Sequence, residues 1–237
     1  MIEIKDLTKK YRDVIAVDKL SLNIDDGELI SFLGMNGAGK STTIKMLSCL
    51  TVPTSGDALI NGKSITENPE EVKKIIAVVP QEDAIAKALT VKENLELITG
   101  IFKIENRDKC TIEIADKLGL REQLDKKSAK LSGGYKRRLS IAMALVTEPQ
   151  VLFLDEPTVG LDVIARSELW DIILSLKGKV TIFLTTHYME EAEKLSDRVA
   201  VMKKGKLIKF GTKNEIKNEV GTENFEDAFV KLVKEDR

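Results

Sequence analysis

A glycine-rich run lies between an apolar segment and a helical segment early in the chain. Residues 34–41 read Gly-Met-Asn-Gly-Ala-Gly-Lys-Ser, which matches the spacing G-x-x-x-x-G-K-[S/T] of a phosphate-binding loop. The apolar residues 29–33 before it predict a strand, and residues 42–50 after it predict a helix. Glycines let successive backbone N–H groups turn toward phosphate oxygens, and the helix N-terminus adds positive potential. This run, called the phosphate loop below, therefore predicts an α/β fold with a phosphate site at a strand end.

Two polar side chains close the phosphate loop. Lys40 is placed to reach the β- and γ-phosphates of a nucleotide, and the Ser41 hydroxyl is placed to bind Mg²⁺. The loop therefore predicts a nucleoside triphosphate and Mg²⁺ as ligands, but it does not by itself separate an ATPase from a GTPase. The residues expected to surround the phosphates are Gly34, Met35, Asn36, Gly37, Ala38, Gly39, Lys40, Ser41 and Thr42.

A second apolar segment ends in two carboxylates. Residues 151–156 read Val-Leu-Phe-Leu-Asp-Glu, and a strand this apolar is expected to be buried, with its carboxyl end where open α/β sheets bind ligands. Asp155 is then placed to complete a magnesium shell, and Glu156 to accept a proton from an attacking water. The alternative is a strand that ends in a solvated acidic turn. The phosphate loop in the same chain favours the catalytic interpretation.

The composition restricts the remaining possibilities. The chain has 237 residues, of which 43% are hydrophobic and 32% charged, with a net charge of −1. We therefore expect one globular domain without a strongly basic surface for nucleic acid. Two cysteines and the single histidine His187 argue against a disulfide framework and against Cys₄ or His-rich metal sites. We expect neither a membrane span nor a signal peptide, because the apolar runs are short.

Strand and helix patterns alternate along most of the chain, which predicts a parallel sheet covered on both faces. A capping-box pattern, Thr90 with Glu93, opens a more helical segment. We predict a single domain with a core lobe of about 1–83 and 133–211, a helical lobe of about 84–132 and a C-terminal tail of about 212–237. Strands are expected at residues 2–5, 20–24, 28–33, 58–60, 75–79, 151–154, 180–184, 199–202 and 206–209, and helices at 107–118, 135–146, 163–176 and 189–195.

A third motif accompanies the phosphate loop and the Asp155–Glu156 pair. Residues 131–138 read Leu-Ser-Gly-Gly-Tyr-Lys-Arg-Arg, in which a Ser-Gly-Gly turn opens a helix. Free amides at such a turn can form a second anion site, although an ordinary N-cap is the simpler interpretation of the spacing alone. With the phosphate loop and the Asp155–Glu156 pair, this segment resembles the signature motif of the ATP-binding cassette (ABC) family. The resemblance extends from Tyr11 to about Val201.

The resemblance implies a fold and four further site residues. The fold is a P-loop NTPase core with an N-terminal antiparallel β subdomain and an inserted α-helical lobe. Tyr11 resembles the aromatic residue that stacks on adenine, and Gln81 the glutamine that touches Mg²⁺ and senses the γ-phosphate. Asp162 lies in a segment similar to the family's D-loop, and His187 resembles its switch histidine. Taken alone, each has an ordinary interpretation, such as a surface aromatic, a loop glutamine, a helix N-cap or a strand-end histidine.

The resemblance also implies a shared site for ATP hydrolysis. Two cassettes would meet head to tail, with each ATP between the phosphate loop of one chain and the signature turn of the other. The residues contributed in trans would be Ser132, Gly133, Gly134 and Asp162. The catalytic residues would be Glu156 as base, His187 to orient water and γ-phosphate, Lys40 and Gln81, and the metal ligands would be Ser41, Gln81 and Asp155.

A transporter subunit of this kind would need partners. The resemblance implies a separate transmembrane permease, a second cassette in a homodimer or heterodimer, and a peripheral position on the cytoplasmic face of the membrane. Residues 160–163 and 186–193 resemble the branch that exports drugs, polysaccharides or lipids; import is the alternative direction. A soluble ABC ATPase acting on nucleic acid or ribosomes is disfavoured by the single cassette and the absence of sustained heptads. A signalling GTPase is disfavoured because no obvious N-K-x-D guanine motif is present.

Overall fold

The structure is a computed structural model and describes residues 1–234. Its strands are β1 (Ile2–Tyr11), β2 (Val14–Ile24), β3 (Leu29–Leu33), β4 (Ser55–Ile60), β5 (Lys63–Ser64), β6 (Ile76–Val79), β7 (Val151–Asp155), β8 (Thr181–Thr186), β9 (Arg198–Lys203) and β10 (Lys206–Gly211). Its helices are α1 (Lys40–Leu47), α2 (Pro69–Lys73), α3 (Val91–Ile101), α4 (Arg107–Lys117), α5 (Gly133–Leu145), α6 (Val163–Leu176), α7 (Met189–Leu195), α8 (Lys213–Val220) and α9 (Phe225–Lys234).

The larger sheet positions the candidate site. Its six strands run in the order β10-β9-β3-β8-β7-β6, and all neighbours are parallel except the antiparallel pair β9–β10. All residues of β3 and β8 are buried, as expected for strands covered on both faces. Register pairs Leu33 with Thr186 and Asp155 with Thr185. The carboxyl ends of three adjacent strands, β3, β8 and β7, therefore meet at one edge of the sheet.

The smaller sheet is antiparallel, in the order β2-β1-β4-β5. The strands predicted at residues 2–5 and 20–24 are too short, because β1 and β2 form a hairpin that spans residues 2–24. Its register shifts at three places between Ile4 and Lys10. The outer half of the hairpin alternates little between apolar and polar residues, since Lys9, Lys10 and Tyr11 follow one another there and none of them is buried. The antiparallel N-terminal β subdomain is confirmed.

Helices α3 to α5 lie between β6 and β7 in the chain. The predicted capping box is present: Thr90 Oγ1 accepts from the Glu93 N–H at 3.1 Å, and the Glu93 carboxylate accepts from the Thr90 N–H at 2.6 Å. Leu95, Leu118 and Leu139 pack in one hydrophobic cluster with residues of β7 and β8. No helix within residues 1–234 combines the length and the apolar character that a membrane crossing requires. The lobe boundaries given above remain a prediction.

The C-terminal segment packs against the sheet next to α7. Phe225 and Ile216 are buried in a cluster with Ala192 of α7 and Val201 of β9. Helix α8 opens on a capping box formed by Thr212 and Glu215. Residues 235–237 of the predicted tail lie outside the described residues.

Candidate active site

The phosphate loop joins β3 to α1. Two of its positions require glycine, because backbone carbonyl oxygens of other segments lie very close to them. A Cβ on Gly34 would lie 2.5 Å from the Met202 carbonyl oxygen, and a Cβ on Gly39 would lie 2.5 Å from that of Ala16. Gly39 also has a φ of +102°, which side chains rarely adopt. It precedes α1 without any side-chain cap, so the first N–H groups of α1 remain available. The loop is thus shaped as an anion site.

A cleft of about 820 Å³ opens over this loop, a size that fits a small-molecule ligand. It gathers side chains from the carboxyl ends of four strands, β3, β6, β7 and β8, and from the first hairpin. Its lining residues are Val14, Ile15, Ala16, Asn36, Gly37, Ala38, Gly39, Lys40, Ser41, Thr42, Gln81, Glu156, Val159, His187 and Lys204.

Lys40 is buried at the base of the cleft, with 5% of its surface exposed. Its Nζ donates to the carbonyl oxygens of Gly34 at 2.6 Å and Met35 at 3.3 Å. The same nitrogen lies 3.4 Å from Glu156 Oε1. A buried ammonium needs such partners, because burial of an unpaired charge is costly. The cation is therefore held inside the loop, next to the predicted base.

Glu156 connects Lys40 to the predicted switch histidine. Its Oε2 lies 2.9 Å from His187 Nδ1, while its Oε1 faces Lys40. Its backbone has a φ of +47°, an uncommon conformation for a residue with a side chain. The Glu156 N–H donates to both the carbonyl oxygen of Thr185, at 3.1 Å, and its hydroxyl, at 3.0 Å. Neighbouring strands thus hold a carboxylate between a cation and an imidazole.

Asp155 and Ser41 supply oxygen atoms suited to a divalent cation. Ser41 Oγ donates to Asp155 Oδ1 at 3.0 Å, and the Thr185 hydroxyl donates to the same oxygen. Hydroxyl and carboxylate oxygens are the ligand types that Mg²⁺ prefers, and Mg²⁺ is usually held by one or two carboxylates together with substrate phosphates. No group of three or more His, Cys, Asp or Glu residues in the described part of the chain is arranged to hold a metal. The donor set fits a magnesium ion that is shared with a nucleotide.

Four predicted residues lie outside the lining of the cleft. Met35 is exposed, Gly34 begins the phosphate loop next to the Met202 carbonyl oxygen, and Asp155 accepts a hydrogen bond from Ser41. Tyr11, at the end of β1, is 46% exposed, and the Lys9 ammonium lies 5.0 Å from its ring centroid. The structure therefore does not bring Tyr11 into the cleft, and its contact with adenine remains a prediction.

The signature turn (Ser132, Gly133 and Gly134) and Asp162 also lie outside the cleft. Ser132 is the N-cap of α5 and accepts from the Tyr135 N–H at 3.4 Å. Asp162 is the N-cap of α6 and accepts from the Ala165 N–H at 2.9 Å. Gly133 lines a separate surface cleft of about 480 Å³, which Gln81 and Val159 share with the first. The two clefts are thus neighbours, but within residues 1–234 the signature turn does not close over its own phosphate loop.

Sequence analysis missed three residues of this region. Thr185 contacts both Asp155 and the Glu156 backbone. Glu191 is fully buried on α7 and accepts from Trp170 Nε1 at 3.0 Å; burial raises the pKa of its carboxyl. Arg137 is buried on α5, within the Lys-Arg-Arg run of residues 136–138. The helical spacing could have indicated this burial, because Arg137 lies four residues before the apolar residue Ile141 and therefore on the same face of the helix.

Sequence comparison places these features in a family. The profile of the family described as "ABC transporter" matches residues 17–159. The chain is 41% identical over 225 residues to the daunorubicin/doxorubicin resistance ATP-binding protein DrrA of Streptomyces peucetius, covering 93% of this chain and 68% of DrrA. It is 42% identical over 227 residues to the human phospholipid-transporting ATPase ABCA3, covering 93% of this chain. The chain spans only 13% of the length of ABCA3.

Solved structures agree. A structure titled as an ATP-binding subunit of an ABC transporter has a TM-score of 0.87 at 29% identity and covers 98% of this chain and 99% of its own. A dimeric post-hydrolysis state of the ATP-binding cassette MJ0796, bound to ADP and Pi, has a TM-score of 0.80 at 29% identity, over 90% of this chain and 98% of its own. With the phosphate loop, the paired carboxylates and the signature turn in one fold, the chain belongs to the ABC transporter family and is an ATP-binding cassette ATPase domain.

Proposed function

We propose that this chain binds MgATP in the cleft over the phosphate loop and hydrolyses it with Glu156 as the general base. The observation that carries the proposal is the chain of contacts from Lys40 through Glu156 to His187. Lys40 reaches phosphate oxygens by exchanging its carbonyl and carboxylate contacts for them. His187 holds the second oxygen of Glu156 and orients the attacking water and the γ-phosphate. Gln81 lines the same cleft.

Magnesium would be held by Asp155, Ser41 and Gln81 together with the nucleotide phosphates. The ion would supply positive charge to the phosphate oxygens during transfer. The support for this assignment is the oxygen donor set at Ser41 and Asp155. Lys40 and the first N–H groups of α1 add positive potential at the same place, which stabilises the charge that develops on the transferred group. Val14 and Ile15 of the hairpin, with Tyr11 near them, would contact the adenine.

The second half of the site would come from another cassette. Ser132, Gly133, Gly134 and Asp162 lie outside the chain's own cleft, so they are free to meet a nucleotide held by a partner. The dimeric cassette MJ0796 with ADP and Pi supports this arrangement. ATP would favour the closed pair, and loss of the γ-phosphate contact after hydrolysis would favour the open one, as a population shift requires.

The work of the cycle would be transport through a separate transmembrane subunit, with this chain on the cytoplasmic face of the membrane. An apolar groove of about 270 Å³ lies beside the loop after β6, lined by Ile76, Pro80, Ala84, Ile98, Phe102 and Met143, among others. Its apolar lining suits a helix of a membrane subunit. Export is the direction that the similarity to a drug-resistance ATP-binding protein and a phospholipid-transporting ATPase supports.

The variant Glu156→Gln tests the proposed chemistry. It keeps the shape of the side chain but removes the proton acceptor, so ATP turnover should fall about 100- to 10,000-fold while ATP binding persists. The ATP-bound dimer should then accumulate, which size-exclusion chromatography with ATP and Mg²⁺ detects. Glu190→Gln, at an exposed position of α7, is the matched control and should behave as wild type. Wild-type turnover by Glu156→Gln would remove Glu156 from the mechanism.

A further inference from the structure

Arg137 is a buried arginine on α5 whose contacts are all with backbone carbonyls. It is 4% exposed. Its Nε donates to the Pro157 oxygen at 2.7 Å, and its Nη2 donates to the oxygens of Asp155 at 3.0 Å and Glu156 at 3.1 Å. Its Nη1 donates to the oxygens of Pro80 at 2.5 Å and Gln81 at 3.4 Å. A guanidinium has five N–H donors, so the contacts account for every one.

These carbonyls belong to two different loops. Pro80 and Gln81 follow β6, whereas Asp155 is the last residue of β7 and Glu156 and Pro157 follow it. The planar guanidinium lies between the two loops and joins them through one rigid group. Gln81 and Glu156 both line the cleft over the phosphate loop. Arg137 therefore fixes the relative position of two backbone segments that carry proposed site residues.

The position is costly for a cation. Burial lowers the pKa of Arg137, and the charges of Asp83, Asp155 and Glu191 only partly oppose that effect. No carboxylate in the described part of the chain forms an ion pair with it at salt-bridge distance, so carbonyl dipoles alone receive its hydrogen bonds. Apolar side chains of similar volume at such a site often give the folded protein equal or higher stability than a buried charged group does. The geometry of the contacts is therefore the stronger reason for an arginine here.

The hydrogen bonds of Arg137 help to hold the Glu156 backbone in an uncommon conformation. Its φ of +47° is strained for a residue with a side chain, and such strain persists only where the surroundings over-determine it. The Glu156 N–H is held by Thr185 and its carbonyl oxygen by Arg137. Together these contacts fix the direction in which the Glu156 side chain leaves the strand, toward Lys40 and His187.

We propose that Arg137 is a positioning residue for hydrolysis, and that it holds the Glu156 and Gln81 backbones in one catalytic arrangement. This inference rests on the function proposed above. A lysine would keep the positive charge, but its single nitrogen cannot reach both loops in the way a guanidinium fork does. The next residue offers a matched control, because Arg138 pairs with Glu168 on α6 and contacts neither loop.

The experiment compares Arg137→Lys with Arg138→Lys in the full chain. Displacing a catalytic group by about 1 Å can cost about 100-fold in rate, so kcat of Arg137→Lys should fall about 10- to 100-fold. The dissociation constant for ATP should change by less than about threefold, because Lys40 and the phosphate loop keep their contacts. Arg138→Lys should keep both values within about twofold, because a lysine can still pair with Glu168.

Two measurements separate positioning from general damage. Titration with a fluorescent ATP analogue counts the sites that bind nucleotide, and kcat is expressed per such site, so unfolded protein does not enter it. Arg137→Gln gives a second, neutral variant in which the same loss of kcat is expected. In a Glu156→Gln background, Arg137→Lys should lower the residual single-turnover rate by less than about threefold, because a residue acting through Glu156 has little left to position.

Three results would overturn the proposal. These are a wild-type kcat per site in Arg137→Lys, a loss of ATP affinity as large as the loss of kcat, and a full additional loss in the Glu156→Gln background. Failure of the proposed function looks different. In that case wild-type protein would show no ATPase activity that depends on Glu156, whatever Arg137 does.

Discussion

Two helix N-termini of this chain follow small-residue turns, and the structure treats them differently. Helix α1 begins at Lys40 after Gly39 and faces a cleft where a buried cation, a carboxylate and an imidazole converge. Helix α5 begins after Ser132, whose own hydroxyl accepts one of the free N–H groups, and the signature turn is largely exposed. One terminus opens into a cleft lined by charged side chains, whereas the other, in residues 1–234, is capped by Ser132 and lies at a largely exposed turn.

The difference decides what each terminus can do alone. A helix N-terminus attracts an anion by about 0.3–1 kcal/mol at an exposed position, which is too little to hold a nucleotide. At α1 the buried ammonium of Lys40 adds a charge-assisted contact in a protected place. We therefore propose that the first terminus binds ATP by itself. The second would contribute only when another chain brings the nucleotide to it.

The largest effect is expected when the Lys40 cation is removed from the first terminus, the N-terminus of α1. A charge-assisted contact of this kind contributes about 1.5–3 kcal/mol, so Lys40→Ala should weaken ATP binding about 10- to 100-fold. Titration with a fluorescent ATP analogue measures the change. Lys45→Ala removes a lysine from the last turn of the same helix, where the side chain is exposed, and should leave affinity unaltered. Equal affinity in Lys40→Ala and wild type would contradict the role given to the phosphate loop.

A mixing experiment tests whether the two termini act on one nucleotide from different chains, because each of two variants carries damage at only one terminus. Lys40→Ala damages the first terminus and Gly134→Asp the second, where a Cβ would lie 3.0 Å from the Ala165 Cβ and the carboxylate would repel phosphate. Each homodimer should be inactive. In an equal mixture half of the dimers are mixed and each has one intact site, so activity should return to about a quarter of wild type at most.

The mixture needs its own controls. Gly134→Asp must still bind the fluorescent ATP analogue, since its phosphate loop is intact, and dimer formation must be followed beside the ATPase assay. Mixed dimers that form yet stay inactive would count against the shared site. Recovery above the sum of the two separate variants would support it, because two chains that each act alone cannot restore activity by mixing.

Some parts of the site could be predicted from local sequence pattern, and others could not. The phosphate loop and the Asp155–Glu156 pair follow short buried strands, so local pattern is enough to locate them. The meeting of Glu156 with Lys40 and His187 depends on the order of β3, β8 and β7 in the sheet, and pairing between distant strands cannot be obtained from local periodicity. The shared presence of the phosphate loop and the Asp155–Glu156 pair indicated that Lys40 and Glu156 act together, but only the resemblance to a known family added His187.

The missed residues have physical reasons of a different kind. Arg137 lies in a run of three charged residues, and charge normally indicates an exposed face. It is buried because carbonyl oxygens from two loops surround it, and no pattern in the sequence marks a set of backbone acceptors. The long first hairpin was underestimated because its bulges disturb the alternation on which strand prediction depends.

The smallest expected effect tests the second terminus alone. Ser132→Ala removes the cap of α5, which accepts from the Tyr135 N–H, and loss of such a cap costs about 1 kcal/mol. The melting temperature should therefore fall by about 2–4 °C for a chain of this size. At protein concentrations where size exclusion shows a monomer, affinity for the ATP analogue should stay within about twofold of wild type, because Ser132 does not line the cleft proposed to hold the nucleotide. Ser175→Ala, at an exposed serine inside α6, is the matched control and should lower neither value. A loss of monomer affinity in Ser132→Ala as large as that of Lys40→Ala would mean that both termini serve one site within a single chain, and the distinction between them would fail.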